Sequence, residues 1–395
     1  MTLIASTLNH KMPVLMSDLL WSADQSGEPI RFPTNNFDPT PYLPEDQEVK
    51  PIKLGQKMYF INDKTCIIFA GLSDEIIVLL TVLKSTFKDK GVISMQDLQD
   101  FLDAYQLHTN FSNSAFFIQH IDHNEDGSIT VGQYNCPKQI NAVDPLNFKV
   151  VEGIWNVMKD LNFAKVSACA SGAEGFLNIV KQVGKVTSRY PEGSIMRAIQ
   201  TNTSLISKLL TMERVSLYTL KENWGGGFEM AYYNGTRFEK LDKIAYVINH
   251  SQFDENADMG LPIPRLIMYY HYNNDILYIT ALEVHKYIID YTEMHTIFTA
   301  GPDDYYGTVF EVEGADVDNI QVFALPADFS FETDKISMGY SIITKENGIF
   351  NPAFFNLGPE VTVKFEQGKS ITVSIANKII EDVRSQSKDA ILKQS

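Results

Sequence analysis

The threonine at position 2 offers this chain its most direct route to covalent chemistry. Removal of Met1, which a small second residue such as Thr2 permits, would leave a hydroxyl and a free α-amine on the same residue. A threonine hydroxyl is inert at neutral pH unless a base takes its proton, and an α-amine can act as that base directly or through one water. We therefore expect Thr2 to be a candidate nucleophile for acyl transfer.

Three further residues could support such a nucleophile. A lysine near the α-amine lowers the pKa of that amine by like-charge repulsion, and an aspartate keeps the lysine charged and oriented. Lys57 and Asp18 are candidates for this pair. Gly71 follows a predicted strand and precedes a predicted helix, so its N–H could donate to a developing oxyanion. This set is suited to acyl transfer from a threonine hydroxyl.

Two strand pairs and a helix are predicted to position these residues. Residues 2–8 and 14–16 are short apolar runs separated by a turn, a pattern typical of a β-hairpin. Residues 57–61 and 65–69 form a second predicted pair around an Asn-Asp-Lys turn. Ser73 is a predicted helix N-cap, because the apolar residues that follow it recur at helical spacing.

The segment from Trp21 to about Pro51 is rich in proline and interrupts these elements. Proline lacks a backbone donor and blocks both helices and central strands, so we predict a long inserted loop. A semi-rigid insertion suits a lid that narrows access to Thr2, and it equally suits a surface loop for subunit contacts. The sequence leaves both possibilities open.

The remaining sequence alternates helical and strand patterns. Predicted helices cover residues 95–105, 151–160, 175–183 and 194–213, and predicted strands cover residues 115–121, 128–131, 228–233 and 245–248. The order of elements predicts an α+β fold with two stacked sheets between helical layers. We expect a domain over residues 1–250 with a proline-rich insertion at 21–56, followed by a β-rich C-terminal extension over 251–395 that could continue the sandwich.

Two metal-binding patterns are weak. The sequence 122–127 copies the first half of an EF-hand loop, but Gln133 replaces the bidentate glutamate and a predicted strand precedes the loop where a helix is required. His120 and His123 are three residues apart, which on a strand directs them to opposite faces. We expect no metal site, and a calcium-dependent module remains the weakest alternative.

Composition narrows the class of protein. The 395 residues carry a formal net charge of −16 at pH 7, so a nucleic acid would be repelled over most of the surface. The three cysteines are widely spread, which favours a reducing compartment. No apolar run is long enough for a membrane helix, and the N-terminus lacks the pattern of a signal peptide. We expect a cytoplasmic protein with neither nucleic-acid nor membrane partners.

The start of the chain resembles the N-terminal-nucleophile hydrolases, most closely those of the proteasome β-subunit type. The similarity covers residues 2–90 and rests on four segments: Thr2-Leu-Ile-Ala, Val14-Leu-Met-Ser-Asp18, Lys57-Met-Tyr-Phe-Ile and Phe69-Ala-Gly71. The intervals within 2–18 and 57–71 match the family spacing without a gap. The proline-rich segment lengthens the interval between them.

This resemblance implies a four-layer αββα sandwich and a set of catalytic roles. Thr2 would be the nucleophile, with Lys57 and Asp18 as its activating pair. Gly71 would be the oxyanion donor. No cofactor is implied.

The resemblance also covers the substrate pocket and the surroundings of the nucleophile. Phe69 falls at a position that shapes the pocket for the residue preceding the scissile bond, and it should make that pocket shallow; Ser73 is assigned to the same pocket. A weaker similarity lies at Glu222-Asn-Trp-Gly-Gly-Gly, where the family has an Asp-x-x-Ser-Gly-Gly turn before a strand. There, Glu222 stands in place of the catalytic-site aspartate and Gly225 in place of the serine.

The sequence thus predicts a proteasome-like threonine amidohydrolase that cleaves peptides or small amides and assembles as a homo-oligomer. The alternative is a catalytically inactive structural or binding subunit that keeps the sandwich and uses its C-terminal part for partners. Retention of Met1 would block the α-amine and favour this alternative.

Overall fold

The computed structural model describes the chain in ranges distributed along its whole length. These are residues 3–9, 12–23, 30–35, 50–71, 73–87, 90, 93–108, 114–136, 149–151, 165–170, 172–182, 190–191, 193–221, 224–254, 258–314, 321–344, 348–350, 353–357 and 360–392. Helices and several β-sheets are both present, and strands are the commoner element. The predicted α+β class is therefore confirmed.

The helices within these ranges are α1 Ser73–Phe87, α2 Met95–His108, α3 Ala173–Gln182, α4 Ile195–Ser216, α5 Tyr218–Lys221 and α6 Asn377–Leu392. The longest, α4, begins after Ser194, whose hydroxyl accepts a hydrogen bond from the Arg197 N–H at 3.2 Å and so caps the helix. In the described part of the chain, no helix combines the length and the apolar character needed to cross a membrane.

The strands of the first part of the chain are β1 Ile4–Asn9, β2 Met12–Asp18, β3 Leu20–Ala23, β4 Lys50–Leu54, β5 Met58–Asn62, β6 Thr65–Gly71, β7 Ser114–His123, β8 Ile129–Cys136, β9 Lys149–Val151, β10 Lys165–Cys169, β11 Phe228–Tyr233 and β12 Phe238–Lys240. The predicted hairpins β1/β2, β5/β6 and β7/β8 are confirmed, with antiparallel pairing in each. The predicted helix over 151–160 lies outside the described residues except for Val151, which ends β9.

The strands that follow are β13 Ile244–Asp254, β14 Asp258–Met259, β15 Ile263–Asn273, β16 Ile276–Val284, β17 Ile288–Tyr291, β18 His295–Ala300, β19 Tyr305–Val312, β20 Gln321–Ala324, β21 Ser330–Thr333, β22 Lys335–Thr344, β23 Gly348–Phe350, β24 Ala353–Leu357, β25 Val361–Glu366 and β26 Ser370–Ala376. The strand-like pattern predicted beyond residue 250 is confirmed. Strand β13 crosses that residue, so one strand joins the two predicted regions.

Two antiparallel sheets carry the residues predicted to do chemistry. Sheet I has the order β12-β11-β2-β1-β10-β9, and sheet II has the order β5-β6-β7-β8. The sheets face each other across buried apolar side chains that include Ile4, Leu15, Ile68 and Phe117. Alternate residues of a strand point to opposite faces. The intervening side chains therefore point outwards, towards the helices.

Helices cover the outer faces of both sheets. On sheet II, α1 and α2 pack through Ile76, Leu79 and Leu98 against Ile67 of β6. On sheet I, α3 and α4 pack through side chains such as Phe176 and Leu205 against Ala5, Val14 and Met16. The polar face of each helix is left for solvent or for the next layer.

Helix α4 is shared with the second half of the chain. Sheet III has the order β20-β19-β16-β15-β13-β22-β23, with β14 beside β13 and β24 beside β22. It packs on α4 through residues such as Ile248 and Met268. Contact is close at Gly339, where a Cβ would lie 2.0 Å from Thr211 Oγ1 and 2.9 Å from the Ser207 carbonyl oxygen of α4.

The opposite face of sheet III packs on a fourth sheet. Sheet IV has the order β17-β18-β26-β25-β21, and its buried face includes Val363 and Val373. Ile380 and Val383 of α6 join the same core. The C-terminal region thus forms a second pair of stacked sheets.

The proline-rich segment differs from the prediction at both of its ends. Instead of a loop beginning at Trp21 and reaching Pro51, the chain forms an antiparallel ribbon between β3 and β4. Pro51 is accommodated because it lies opposite Ser22, where the register shifts, and because the ribbon has only two strands. Residues 24–29 and 36–49 of the predicted loop lie outside the described residues.

Candidate active site

Asp18 and Lys57 form a buried ion pair at the edge where β2 ends and β5 begins. Lys57 Nζ lies 2.6 Å from Asp18 Oδ1, and the relative exposures of the two side chains are 2% and 0%. Lys57 Nζ also donates to the Leu20 carbonyl oxygen. The structure therefore brings together the two residues that were predicted as an activating pair.

Burial dominates the electrostatics of Lys57. Desolvation lowers the pKa of its ammonium below 10.5, while the adjacent Asp18 carboxylate and, more weakly, Glu229 act in the opposite direction. A lysine with a lowered pKa gives up its proton more readily than an exposed one. Such a group is suited to proton transfer as well as to charge stabilisation.

Asp18 also binds the beginning of β1. Its Oδ1 accepts a hydrogen bond from the Leu3 N–H at 3.0 Å, and the Asp18 N–H in turn donates to the Leu3 carbonyl oxygen at 3.0 Å. Leu3 follows Thr2 in the chain, so the residue after the predicted nucleophile is bonded to the same carboxylate oxygen as Lys57. Thr2 itself lies outside the described residues, and so does Glu222.

A turn of three glycines, residues 225–227, lies against this pair. Their φ angles are 106°, 70° and 108°, a region that L side chains disfavour. The Gly225 N–H donates to Asp18 Oδ2 at 2.8 Å. The Gly225 carbonyl oxygen accepts from the N–H groups of Leu19 and Leu20 at 3.2 and 3.0 Å. The glycine turn therefore supports the strand end that carries Asp18.

Glu213 of α4 holds the other side of the glycine turn. It is fully buried, and its Oε2 accepts a hydrogen bond from the Gly226 N–H at 2.9 Å. The hydroxyls of Thr34 and Thr219 also donate to its carboxylate. Desolvation raises the pKa of this carboxyl above 4.5, and the three hydrogen bonds oppose that shift.

Glu229 of β11 holds Lys57 from the backbone side. Its Oε1 accepts from the Lys57 N–H at 2.5 Å and from Ser17 Oγ at 3.0 Å, and its Oε2 accepts from Lys240 Nζ at 3.2 Å. Glu229 is 1% exposed. A second ion pair thus fixes the start of β5, which sets the position of the lysine side chain.

Glu213 and Glu229 were not predicted from the sequence. One signal was available for Glu213, because an acidic side chain in the last turn of a helix opposes the helix dipole and requires a specific partner. For Glu229 the signal was a charged residue in an otherwise apolar strand. Neither signal identifies the distant partners, which are Thr34 for Glu213 and Lys57 for Glu229.

The predicted oxyanion donor and pocket residues lie along β6 and α1. Gly71 ends β6 with a φ of 108°, and Ser73 is the first residue of α1. Phe69 is fully buried on the helical side of sheet II, between the rings of Tyr59 at 5.8 Å and Trp21 at 6.0 Å. Phe69 therefore contributes to a packed aromatic group.

Trp21 connects that aromatic group to the ion pair. Its ring lies 5.5 Å from Lys57 Nζ, within the range of a cation–π contact, and its Nε1 donates to the Gly55 carbonyl oxygen at 3.2 Å. The indole is 8% exposed. Trp21 thus lies between the lysine side chain and the ring of Phe69 in this series of contacts.

The middle of the proline-rich segment also reaches the site. Phe32 and Thr34 are fully buried, and a Cβ on Gly226 would lie 3.3 Å from the Phe32 ring. This part of the segment, residues 30–35, is therefore packed beneath the glycine turn. Residues 30–35 therefore brace the site from within. Residues 24–29 and 36–49, for which a lid and a subunit-contact loop were both predicted as possibilities, lie outside the described residues.

The residues of the weak metal patterns lie away from this site. Residues 122–127 begin at the end of β7 and form the turn that leads to β8, so a strand precedes the loop as predicted. Within the described ranges, no group of three or more histidine, cysteine or acidic side chains is arranged to hold a metal ion.

No model of a known protein family matches the chain, and no curated protein sequence matches it. The geometry around Asp18 and Lys57 is therefore the basis for a functional assignment.

Proposed function

We propose that this chain is a threonine-type N-terminal-nucleophile amidohydrolase that cleaves peptides or small amides once Thr2 is the first residue of the mature chain. The observation that carries the proposal is the shared Asp18 carboxylate. One of its oxygens accepts from both Lys57 Nζ and the Leu3 N–H. A buried lysine is thereby held beside the backbone that follows the nucleophile.

The packing of the layers supports the finer fold assignment. From one side to the other, the order is α1 and α2, sheet II, sheet I, then α3 and α4. This order is what the four-layer αββα sandwich of the N-terminal-nucleophile hydrolases requires.

In the proposed reaction, the α-amine of Thr2 removes the proton from its own hydroxyl. Lys57 lowers the pKa of that amine, and Asp18 orients Lys57. The hydroxyl oxygen attacks the amide carbon, and the Gly71 N–H donates to the oxyanion. The leaving amine takes the proton, and water then hydrolyses the Thr2 ester and regenerates the free residue.

The first prediction concerns the nucleophile. We expect mass spectrometry of the purified protein to find Thr2 at the N-terminus, and we expect a β-lactone or epoxyketone probe to form an adduct on that residue. Thr2→Ala should abolish labelling, and Thr2→Ser should restore part of it, because serine keeps the hydroxyl and the amine. Full labelling of Thr2→Ala, or an adduct mapped elsewhere, would refute the assignment.

A second candidate function is that of an inactive structural or binding subunit. The packing of Trp21 against Lys57, with Phe69 behind Trp21, favours it, because these side chains occupy space that a substrate residue could otherwise use. This candidate predicts a retained Met1 and no probe adduct in a folded protein. The same mass spectrum therefore distinguishes the two candidates.

A further inference from the structure

Glu213 is a buried carboxylate that the proposed mechanism does not use. It lies in the last turn of α4 and accepts hydrogen bonds from three separate parts of the chain. Thr34 Oγ1 donates to Oε1 at 2.5 Å, whereas Thr219 Oγ1 and the Gly226 N–H donate to Oε2. One side chain thus connects the proline-rich segment, α5 and the glycine turn.

The bond to Gly226 orients one particular peptide group. The N–H of Gly226 and the carbonyl of Gly225 belong to the same planar unit and point in opposite directions. Glu213 accepts from the N–H, while the Leu19 and Leu20 N–H groups donate to the carbonyl oxygen. Glu213 therefore presents that oxygen to the backbone that follows β2.

Both hydrogen-bond acceptors shown for Lys57 Nζ, Asp18 and the Leu20 carbonyl, depend on this arrangement. The Gly225 N–H fixes Asp18 Oδ2 at 2.8 Å, and the other oxygen of that carboxylate binds Lys57 Nζ. Leu20, whose N–H is held by the Gly225 carbonyl, supplies the carbonyl oxygen that accepts from Lys57 Nζ. A shift of the glycine turn would displace both acceptors together.

Steric contacts show why residue 225 has no side chain. A Cβ on Gly225 would lie 2.1 Å from Glu213 Oε2 and 2.5 Å from Thr219 Oγ1. The Glu213 carboxylate therefore occupies the space into which a side chain at this position would project. Residue 225 is therefore restricted to glycine by the carboxylate that also binds the Gly226 N–H.

We infer that Glu213 is a positioning residue for Lys57, acting through the Gly225–Gly226 peptide, Asp18 and the Leu20 carbonyl. The inference rests on the proposed function, since its consequence is the orientation of the activating lysine. The residue contacts neither the lysine nor the backbone of Leu3 directly. Its effect is to hold the Asp18 carboxylate and the Leu20 carbonyl oxygen where both can accept hydrogen bonds from the Lys57 ammonium.

The test compares Glu213→Ala and Glu213→Gln with the unaltered protein by two measurements. The first is amide hydrogen exchange, read by mass spectrometry in peptides that cover residues 17–20 and 224–228. The second is the rate of labelling by a β-lactone probe as a function of probe concentration. Glu381→Ala, which alters an exposed glutamate of α6, is the matched control.

For Glu213→Ala, we expect exchange in both peptides to accelerate at least about tenfold, because the glycine turn loses its anchor. The maximal labelling rate should fall by about 10- to 100-fold, the range for loss of an orienting contact, while the half-saturating probe concentration stays unchanged. Glu213→Gln should retain most of the rate, since its amide oxygen can accept from Gly226 while its NH₂ donates to Thr34.

Several outcomes would overturn the inference. An unchanged amide exchange rate in Glu213→Ala would contradict it. Equal decreases of the labelling rate in Glu213→Ala and Glu213→Gln would also contradict it. If the unaltered protein is not labelled, the proposed function fails, whereas the exchange comparison still decides whether Glu213 holds the turn. If Glu213→Ala does not fold, Thr219→Val decides by exchange, because it removes one donor to Oε2; unchanged protection there would contradict the role of Oε2.

Discussion

At the scale of single residues, the candidate site is built from buried ionisable groups that are paired with an opposite charge or, as for Glu213, held by hydrogen-bond donors. Lys57 is held by Asp18, and the start of its strand is held by Glu229 and Lys240. An unpaired charge in such a position would be costly, so each member constrains the others. The precision of the site therefore depends on side chains that come from distant parts of the sequence.

Removal of the lysine should affect activity and stability together. We expect Lys57→Ala to lower the rate of probe labelling at least about 100-fold and to destabilise the fold by about 3–5 kcal/mol, because it leaves a buried carboxylate without its counter-charge. Asp18→Asn should act in the same direction. Labelling is measured on the folded fraction, and stability by urea denaturation.

The control for this pair is Lys378→Ala, since the Lys378 side chain is 67% exposed and its ion pair with Glu360 lies at the surface. It should change stability by less than about 1 kcal/mol. Unchanged labelling of Lys57→Ala would refute its catalytic assignment. Insolubility of both site variants would favour a purely structural ion pair.

Glu213 should leave a signature in the pH dependence of stability. Burial raises the pKa of its carboxyl in the folded protein above 4.5, the ordinary value for a glutamate. The folded state therefore binds more protons than the unfolded state between 4.5 and the raised pKa, and the contribution of Glu213 to stability falls as pH rises through that window. Glu213→Gln cannot titrate and should lack this decrease.

The measurement is the difference in unfolding free energy between the two proteins at a series of pH values. Relative to the original protein, Glu213→Gln should gain stability as pH rises from 4.5, and the difference should become constant above the raised pKa. Glu381→Gln, at an exposed position, should give a flat difference. A flat difference for Glu213→Gln would contradict the raised pKa.

At the scale of elements, the sequence predicted what local patterns determine. The hairpins and α1 were predictable because their apolar residues alternate at the period of a strand or a helix over several residues. The ribbon β3/β4 was not, because Pro51 argues against a strand and its partner Ser22 lies at the other end of the proline-rich segment. Glu213 was not predicted for a similar reason. Two of its donors, Thr219 and Gly226, are near it in the chain, but Thr34 is 179 residues away.

Residues 30–35 give a stability prediction for an element that has no regular structure of its own. We expect Phe32→Ala to destabilise the protein by about 3–5 kcal/mol, because the fully buried ring beneath the glycine turn would leave a cavity. Phe323→Ala is the control, with 42% exposure on β20, and should cost less than about 1 kcal/mol. If urea denaturation gives the same loss of unfolding free energy for both variants, the role of this segment as an internal brace is contradicted.

At the scale of the whole molecule, α4 lies between sheet I and sheet III and belongs to the cores of both. The contact with β22 is close enough that Gly339 has no room for a side chain. Sequence periodicity could predict the helix and its apolar residues. It could not predict that two sheets, formed by residues far apart in the chain, would use opposite sides of the same helix.

Gly339→Ala tests this contact. We expect a loss of about 1–3 kcal/mol from overpacking, since the added methyl group would meet Thr211 and the α4 backbone. We also expect one cooperative transition, because unfolding sheet III removes part of the core of sheet I. Gly301→Ala, whose Cβ would approach only Asp304 at 3.3 Å, is the control. Separate transitions for the two halves would contradict the shared core.

The parallel pairing of β13 with β22 has a consequence for the order in which the molecule is made. β13 spans Ile244–Asp254, whereas its parallel neighbour β22 spans Lys335–Thr344. The hydrogen bonds between the two strands can therefore form only after all the residues between them have been synthesised. Until β22 emerges from the ribosome, the side of α4 that it covers has no partner. Pairing over such a distance is slow and leaves apolar surface open to aggregation. We therefore expect the apolar side of α4 that β22 covers to be most open to aggregation before β22 has been made.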